Sequence, residues 1–376
     1  MSAFRFLHSS DLHLGRRFGN LPEELRGRLR EARHAAIGRL AARARESGAS
    51  TILLAGDTFD TETPAPDIRR QALAEMGHHA PLRWVLLPGN HDSLQASQLW
   101  GALRLEAPDN VVLAVEPAPL ALAPGVTLLP APCTTRRPGR DLTEWMDGAG
   151  REEGAIRIGL AHGAIRDFAE EGGATDVIAP DRAARAGLDY LALGDWHGSL
   201  EVDVRTRYSG TPEPDRFKHD RPGTALIVSI EAAGAAPEVT PVETASFAWR
   251  TLRLDLLSQD DGAALLAGRL PEGRERRQTL LRVAAAGRAS LAGRTALAAA
   301  IAQAAPEFAR LELDEAGLAI DCEATDLDLI DRGGALREAA EALRAESLDA
   351  TRSAAEREVA RAALMRLFSY SQQAGA

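Results

Sequence analysis

Five short groups of polar residues, each placed directly after a strand-forming run, constrain the fold of this chain more than any other feature. The runs are rich in aliphatic and β-branched residues, which favour β-strands. The five groups are Asp11-Leu12-His13, Gly56-Asp57, Gly89-Asn90-His91-Asp92, His162-Gly163 and Gly194-Asp195-Trp196-His197. Open α/β sheets carry their functional side chains at the carboxyl ends of the strands. The sequence therefore predicts an α/β fold with its functional site at these strand ends.

The chain has 376 residues, which exceeds the usual size of one domain, so we expect more than one. Strand-forming runs alternate with amphipathic segments up to about residue 230, which is typical of layered α/β structure. A stretch rich in Pro, Gly and Ala, from Ala232 to Pro241, marks the edge of this part. We predict a layered β-sandwich flanked by helices in residues 1–246, a small α+β domain in 247–325 and a helical tail in 326–376.

The sequence makes two further predictions, one about the small domain and one about the helical tail. Ala309 to Leu313 and Leu318 to Cys322 are expected to form a closing hairpin in the small domain. In the tail, apolar residues recur with helical spacing, and the second stripe includes Val359, Leu364 and Phe368. This stripe either packs on its own domain or binds a partner.

The composition indicates the cellular compartment in which the protein is expected to function. The two cysteines, Cys133 and Cys322, lack metal-type spacing, and Met1 to Asp11 holds charge and histidine where a signal peptide would be apolar. No apolar run reaches the ~18 residues of a membrane span. We therefore expect a cytoplasmic protein that does not enter a membrane. The formal net charge of -10 argues against a protein that coats nucleic acid by itself.

The residue types in the five groups suit a pair of divalent metal ions. Two cations about 3.5 to 4 Å apart can activate a water and stabilise the charge that develops when a phosphodiester is hydrolysed. Mixed imidazole and carboxylate ligands suit manganese, iron or zinc better than calcium. The expected ligands are Asp11, His13 and His197 for one ion, Asn90 and His162 for the other, and Asp57 as a bridge.

His91 and Asp92 are the candidate catalytic residues. His91 lies between Asn90 and Asp92 in the sequence, so its ring can approach a phosphate without being a metal ligand. Asp92 is expected to hold the tautomer of the His91 ring.

These groups resemble the calcineurin-like metallophosphoesterase superfamily, whose pattern is D-x-H, G-D, G-N-H-[DE], H and G-H-x-H in that order. Three segments, Leu7 to Gly15, Gly56 to Asp60 and Tyr208 to Glu213, look more narrowly like the SbcD-type DNA-repair exonuclease subunit and its YhaO-like relatives. The resemblance covers about residues 4 to 230. It implies the metallophosphoesterase fold, with the small domain as a capping domain.

The resemblance also implies a mechanism and a ligand set. An activated water would attack phosphorus in line, with manganese as the usual metal and His91 as the catalytic acid or phosphate stabiliser. The implied ligand sets are Asp11, His13, Asp57 and His197 for one metal, and Asp57, Asn90, His162 and Asp195 for the other.

The resemblance further implies partners. DNA would be the substrate, and the helical tail would bind the coiled-coil root of an SbcC-like ATPase. By analogy, a homodimer would form through helices near Ile68 to Met76 and Ser97 to Leu105, where Leu99, Trp100 and Leu103 form an apolar cluster.

Asp195 departs from the family pattern, which has histidine at this position. With three ionised carboxylates, two divalent ions would leave the site with a charge of about +1, against about +2 with histidine. Asp195 either binds the second metal directly or orients His197, with the second metal held loosely. We favour direct binding, because carboxylates bind hard cations readily.

Two other functions use part of the same pattern. A stand-alone phosphoesterase acting on small phosphoesters, phosphoproteins or cyclic nucleotides would need the metals but not the tail. A non-catalytic scaffold for an ATPase would need neither activity nor a complete metal site, and the irregular Asp195 is compatible with it.

Overall fold

The computed structural model describes residues 3–165, 177–219, 221–321, 327–328, 330–331 and 333–374. The chain divides into two compact units, Met1–Trp249 and Arg250–Ala376. The small α+β domain and the helical tail of the sequence-based division thus lie almost wholly in the second unit.

The described residues of the first unit form short strands and four α-helices. Its strands are β1 (Phe4–Ser9), β2 (Thr51–Leu54), β3 (Arg83–Leu86), β4 (Val111–Leu113), β5 (Leu120–Ala123), β6 (Val126–Ala131), β7 (Ile156–His162), β8 (Tyr190–Gly194), β9 (Leu200–Glu201), β10 (Thr206–Tyr208), β11 (Thr224–Ile230) and β12 (Glu238–Glu243). Its helices are α1 (Glu23–Glu46), α2 (Pro66–His78), α3 (Ser97–Glu106) and α4 (Arg182–Arg185). Helix α1 begins directly after Pro22, which is its N-cap residue.

The strands form two six-stranded sheets, with orders β12-β11-β1-β2-β3-β4 and β5-β6-β7-β8-β10-β9. β1, β2 and β3 are adjacent and parallel, and so are β7 and β8. Parallel pairing places the carboxyl ends of neighbouring strands at the same edge of a sheet. The residues that follow these five strands are therefore brought to the ends of two sheets.

The two sheets pack face to face with helices outside them. Phe6 and Val85 from the first sheet share a buried core with Leu128 and Tyr190 from the second. A second core holds α1, α2 and α3 against the other face of the first sheet, and a third covers the other face of the second sheet. The predicted α/β class, a layered sandwich flanked by helices, is confirmed.

The apolar cluster expected at a homodimer contact lies inside this core. Leu99, Trp100 and Leu103 are 3%, 3% and 0% exposed, and Trp100 Nε1 donates to the carbonyl oxygen of Asp92 at 2.7 Å. The prediction that these three side chains pair two subunits is wrong, because they are already buried within one chain. Leu105, at the end of α3, is exposed.

The second unit contains a three-stranded sheet, helices against it and a helical pair. Its strands are β13 (Ala248–Leu256), β14 (Thr279–Ser290) and β15 (Arg310–Asp321), in the order β13-β14-β15. Its helices are α5 (Gly262–Ala267), α6 (Leu291–Ala304), α7 (Ala335–Leu348) and α8 (Ala354–Ala374).

The prediction of a closing hairpin in this unit is wrong. β15 is one continuous strand that pairs with β14 in parallel from Arg310 to Asp321. The residues that suggested a turn, around Gly317, are accommodated by a shift of register between Ala284 and Ala286. Cys322, the last residue of the expected hairpin, lies outside the described residues.

The apolar stripe of the tail packs largely within the second unit. Leu364 and Phe368 are buried in a cluster with Leu291 and Leu327. Other apolar side chains of α7 and α8 are exposed, namely Leu336, Leu348, Val359 and Tyr370. Among the described residues, none of the helices has the length and apolar character needed to cross a bilayer.

Candidate metal centre

Four of the seven candidate ligands have a strained backbone. Asp11, His13, Asp57 and Asp195 all have positive φ, at 55°, 43°, 53° and 98°. Such conformations cost about 1 to 3 kcal/mol each for residues other than glycine and concentrate at functional sites. Backbone hydrogen bonds from Asp11 N to Gly56 O and from His13 N to Asp57 O hold the loops after β1 and β2 together. The strained residues therefore coincide with the loops that carry the candidate ligands.

The glycines of the motifs make room for the candidate ligands. A Cβ on Gly56 would lie 2.3 Å from His162 Nδ1, and one on Gly89 would lie 2.2 Å from Asp57 Oδ1. A Cβ on Gly194 would lie 2.0 Å from the carbonyl oxygen of Ala55. No side chain fits at these distances, so close packing explains why glycine precedes three of the polar groups.

Asp11, His13 and His197 converge on a first metal position. The Nε2 atoms of His13 and His197 are 3.2 Å apart, and each lies 3.9 Å from Asp11 Oδ1. Two nitrogens that bind one ion at about 2.1 Å each lie about 3 Å apart when they are neighbours in its coordination shell. Burial is the main reason that the pKa of His13 is well below its ordinary value, and the neighbouring His197 lowers it further. A neutral imidazole is the form that binds a metal.

Asp57 lies between the first position and a second one. Its Oδ2 atom is 3.6 Å from Nε2 of His13 and also 3.6 Å from Nε2 of His162. Asp195 Oδ1 lies 3.7 Å from the same Nε2 atom of His162. Asn90 Nδ2 donates to Asp195 Oδ1 at 2.9 Å, which joins the Asn90 side chain to this group. The structure thus brings all seven candidate ligands together, with one carboxylate placed to bridge.

Two buried polar atoms of the second position lack a hydrogen-bond partner among the described residues: His162 Nε2 and Asn90 Oδ1. His162 Nδ1 donates to the carbonyl oxygen of Ala55 at 2.8 Å, so Nε2 of the neutral ring is an acceptor with a lone pair directed at the carboxylates. Unpaired buried acceptors are rare and require an explanation. Acceptors beside several carboxylates fit a divalent cation, which the residues present can therefore hold.

The carboxylates control the charge of His162 when no metal is bound. Burial lowers the pKa of His162, but Asp57, Asp11 and Asp195 outweigh it and raise the pKa to about 9. Burial raises the pKa of Asp57 well above its ordinary value and also raises that of Asp195. The metal-free centre therefore keeps protons that a metal ion must displace.

Metal binding is accordingly expected to depend on pH. Below a pH of about 9, His162 holds a proton that must leave before the second ion binds, so affinity at that position should rise about tenfold per pH unit from pH 6 to 9. Calorimetric titration of manganese in buffers of different ionisation enthalpy should show release of about one proton at pH 7. Affinity independent of pH over this range would contradict the expectation.

Asp215, which the sequence analysis missed, holds the ring of His197. Its Oδ1 atom is 3.1 Å from His197 Nδ1, and its Oδ2 atom lies 3.1 Å from Arg16 Nη2 and 3.7 Å from Arg33 Nη2. Burial alone would raise the pKa of Asp215, but His197 and the two arginines hold it well below its ordinary value. An ionised Asp215 therefore fixes the His197 ring with Nε2 facing the first position.

Asp60 has the corresponding place beside His13. Its Oδ1 atom lies 3.2 Å from His13 Nδ1 and 3.4 Å from Arg16 Nη1. Asp60 and Asp215 therefore both flank the first position, joined by Arg16. The only sequence signal for them was proximity to the motifs Gly56 to Asp60 and Tyr208 to Glu213.

The His91 ring is oriented by a backbone carbonyl group. His91 Nδ1 is 3.0 Å from the carbonyl oxygen of Asp60, which leaves Nε2 for other contacts. Asp92 does not contact this ring through its carboxylate, because its oxygens accept the N–H groups of Gly89 at 2.7 Å and Phe59 at 3.0 Å. The prediction that Asp92 holds the His91 tautomer is therefore wrong. Asp92 instead fixes the loop that carries Asn90 and His91.

The position of Asp195 distinguishes its two predicted roles. Its carboxylate contacts Asn90 and faces His162, whereas the His197 ring is held by Asp215. The structure contradicts the alternative in which Asp195 orients His197. Direct binding of the second metal remains a prediction, and the position of the carboxylate supports it.

Substitutions of Asp195 should distinguish an effect of the charge of the site from an effect of metal coordination. We expect Asp195→His to keep or raise phosphoesterase activity, because the ring restores a neutral donor and a more positive site. Asp195→Ala should weaken metal binding at the second position about 10- to 100-fold, since Asn90 also loses its acceptor. Metal titration and kcat measured on both variants test this, and full activity in the alanine variant would argue against coordination.

The candidate centre opens into a cleft of about 190 Å³. The lining residues are Asp57, Asn90, His91, Ala164, Asp195, Trp196, His197, Tyr208 and Arg216. Candidate ligands from both metal positions thus face the same space. A phosphate group in this cleft would meet both positions, the His91 ring and the guanidinium group of Arg216.

Comparisons with known proteins identify a family. A family model described as calcineurin-like phosphoesterase matches residues 4–229. The crystal structure of TT1561 of Thermus thermophilus is 12% identical, covers 65% of this chain and 100% of its own, and has a TM-score of 0.41. Another crystal structure is 9% identical, covers 64% of this chain and 99% of its own, and has a TM-score of 0.39. No curated protein matches the chain.

The family model covers more than half of the sequence and includes all five polar groups. The chain therefore belongs to the calcineurin-like phosphoesterase family, whose members are metal-dependent phosphoester hydrolases.

Proposed function

We propose that this protein is a cytoplasmic SbcD-like exonuclease subunit that hydrolyses the phosphodiester bonds of DNA with two manganese ions, in DNA repair with an SbcC-like ATPase. The two-metal mechanism is supported mainly by the position of Asp57 Oδ2, which lies 3.6 Å from Nε2 of both His13 and His162. One carboxylate oxygen midway between two groups of donors is suited to bridge two cations.

When bound, the two divalent ions supply Lewis-acid stabilisation of the phosphoryl oxygens and activate a water for attack on phosphorus. The side chains divide the remaining work. Asp215 holds His197 in its ligating orientation through a contact with Nδ1, and the carboxylate of Asp60 lies 3.2 Å from His13 Nδ1. His91, with Nδ1 directed at the carbonyl oxygen of Asp60, presents Nε2 to the phosphate or to the leaving oxygen. Arg216, at the wall of the cleft, attracts the anionic substrate.

The choice of DNA over small phosphoesters rests on features outside the metal centre. A phosphoesterase for small substrates requires only the first unit, whereas this chain has a second unit with a helical pair and exposed Leu336, Val359 and Tyr370. Exposed apolar side chains on paired helices suit a helical partner such as a coiled coil. These features support the proposed ATPase partner.

The test is digestion of linear, end-labelled DNA by the full chain over a manganese titration. Shortening of the DNA that depends on manganese and is lost in His91→Ala supports the proposal. The same preparation is assayed on bis(p-nitrophenyl) phosphate and on cyclic nucleotides. Hydrolysis of these small esters with no DNA cleavage would favour a stand-alone phosphoesterase. Binding of two manganese ions with no hydrolysis of any phosphodiester would favour a scaffold.

A further inference from the structure

A second cavity, of about 150 Å³, lies beside the second metal position. Its wall includes Asn90, His162 and Asp195, the three residues that define that position apart from Asp57. The cavity is therefore next to the place where the phosphorus atom would be attacked. Nothing in the two-metal reaction requires it.

The rest of the wall is mainly apolar. Ala131, Pro138, Leu142 and Ile178 line it, and Ala131 and Ile178 belong to the core on the outer face of the second sheet. A cavity of about 150 Å³ is large enough to take up a molecule the size of benzene. The space therefore fits one planar ring better than a hydrated ion or a second phosphate.

The walls are fixed in place by Asp141. Its Oδ1 atom accepts the N–H group of Thr143 at 2.8 Å, and its Oδ2 atom accepts that of Ala179 at 3.1 Å and a guanidinium N–H of Arg182 at 2.8 Å. These bonds join the segment that carries Leu142 to the segment that carries Ile178. A cavity with walls bonded to each other is preformed, so a ligand does not have to order it.

Two arginines provide charge at the cavity. Arg136 and Arg140 both line it, and both side chains are exposed. Arginine binds phosphate through paired N–H donors and also stacks on flat rings. A ring with an adjacent phosphate would therefore find complementary groups, whereas a ligand with only an alkyl group would use neither.

We propose that this cavity binds the base of a nucleoside esterified to the phosphate that is hydrolysed, and that Arg136 and Arg140 bind the next phosphate. The proposal rests on the phosphodiesterase function proposed above. It makes the enzyme selective for nucleotide esters over simple alkyl esters through one side of the cleft.

The test compares two chromogenic esters with the same leaving group, thymidine 5′-(p-nitrophenyl phosphate) and methyl p-nitrophenyl phosphate, in manganese buffer. The wild-type protein should prefer the thymidine ester at least about tenfold in kcat/KM, as expected for burial of one ring against apolar side chains. Leu142→Trp fills the cavity and should remove this preference. Leu105→Trp, the same change on an exposed side chain of α3, should keep it. An unchanged preference in Leu142→Trp would overturn the proposal.

Binding of the product tests the cavity without turnover. Calorimetry on the manganese-loaded protein should show thymidine 5′-monophosphate binding at least about tenfold more tightly than methyl phosphate, and Leu142→Trp should abolish the difference. Equal affinities in the wild-type protein would overturn the proposal. Absence of hydrolysis of both esters, with this binding difference intact, would instead reject only the proposed function.

The arginines have a matched control in the same loop. Arg136→Ala combined with Arg140→Ala should weaken binding of thymidine 3′,5′-bisphosphate about tenfold more than binding of the monophosphate. Arg137, exposed but outside the lining of the cavity, serves as the control, and Arg137→Ala should change neither affinity. Equal effects of the double variant and Arg137→Ala would show that general surface charge is responsible, and would overturn the role of the two arginines.

Discussion

Replacement of Asp57 by asparagine is expected to lower kcat for phosphodiester hydrolysis by about 10³-fold or more. The reason is that metal-ion stabilisation of the transition state contributes several kcal/mol, and each 1.4 kcal/mol changes the rate about tenfold. Asp57 Oδ2 is the oxygen that lies 3.6 Å from both His13 Nε2 and His162 Nε2. Asparagine keeps the size of the side chain but removes the charge that both positions share. Metal analysis should show fewer than two manganese ions per chain.

The fold should survive this substitution. Asp57 Oδ1 accepts the backbone N–H group of His91 at 2.8 Å, and the amide oxygen of asparagine can accept the same bond. Circular dichroism and thermal melting of the metal-free proteins provide the control. Wild-type activity in Asp57→Asn, with two metals bound, would contradict the bridging role.

His91→Ala should have a large effect of a different kind. We expect kcat to fall about 10²- to 10⁴-fold, the range of general acid–base catalysis, while the metal content stays at two ions. The reason is that the His91 ring lines the cleft but is held by the carbonyl oxygen of Asp60, outside the expected ligand set. Metal stoichiometry and single-turnover kinetics measured on the same preparation distinguish the two variants.

A substrate with a better leaving group sharpens this test. If His91 donates a proton to the leaving oxygen, the loss in His91→Ala should be smaller for p-nitrophenyl esters than for DNA, because nitrophenolate leaves without a proton. If His91 only stabilises the phosphate, the loss should be similar for both substrates. Loss of one metal ion from His91→Ala would show that His91 is a ligand, contrary to our assignment.

The candidate site was largely predictable because strands that follow one another in the chain are also neighbours in a sheet. β1, β2 and β3 are sequential and parallel neighbours, so the groups that follow them meet at one edge of the first sheet. The same holds for β7 and β8. Strand-forming runs followed by Asp57 or His162 were therefore sufficient to identify the strand ends that carry the candidate ligands.

Asp215 could not be predicted in this way. It lies in the loop between β10 and β11, and its contact with His197 depends on the path of that loop, which hydrophobic periodicity does not determine. Asp92 was assigned a wrong contact for a related reason. A neighbour in sequence need not be a neighbour in space, and the carboxylate of Asp92 turns towards the backbone of its own and the adjacent loop.

The apolar side chains of α3 show another limit. A stripe such as Leu99, Trp100 and Leu103 has the same spacing whether it faces the core or a partner. Only the position of the helix against the first sheet decides between them, and it buries all three.

The left-handed backbone of Asp11, His13, Asp57 and Asp195 has a consequence for how such a protein can change over time. Substitutions to glycine at these positions would relieve backbone strain and stabilise the fold, yet each would remove a candidate metal ligand. Selection for heat resistance alone should therefore favour glycine at these positions and yield proteins without activity. Selection that retains turnover must find its gains elsewhere in the chain.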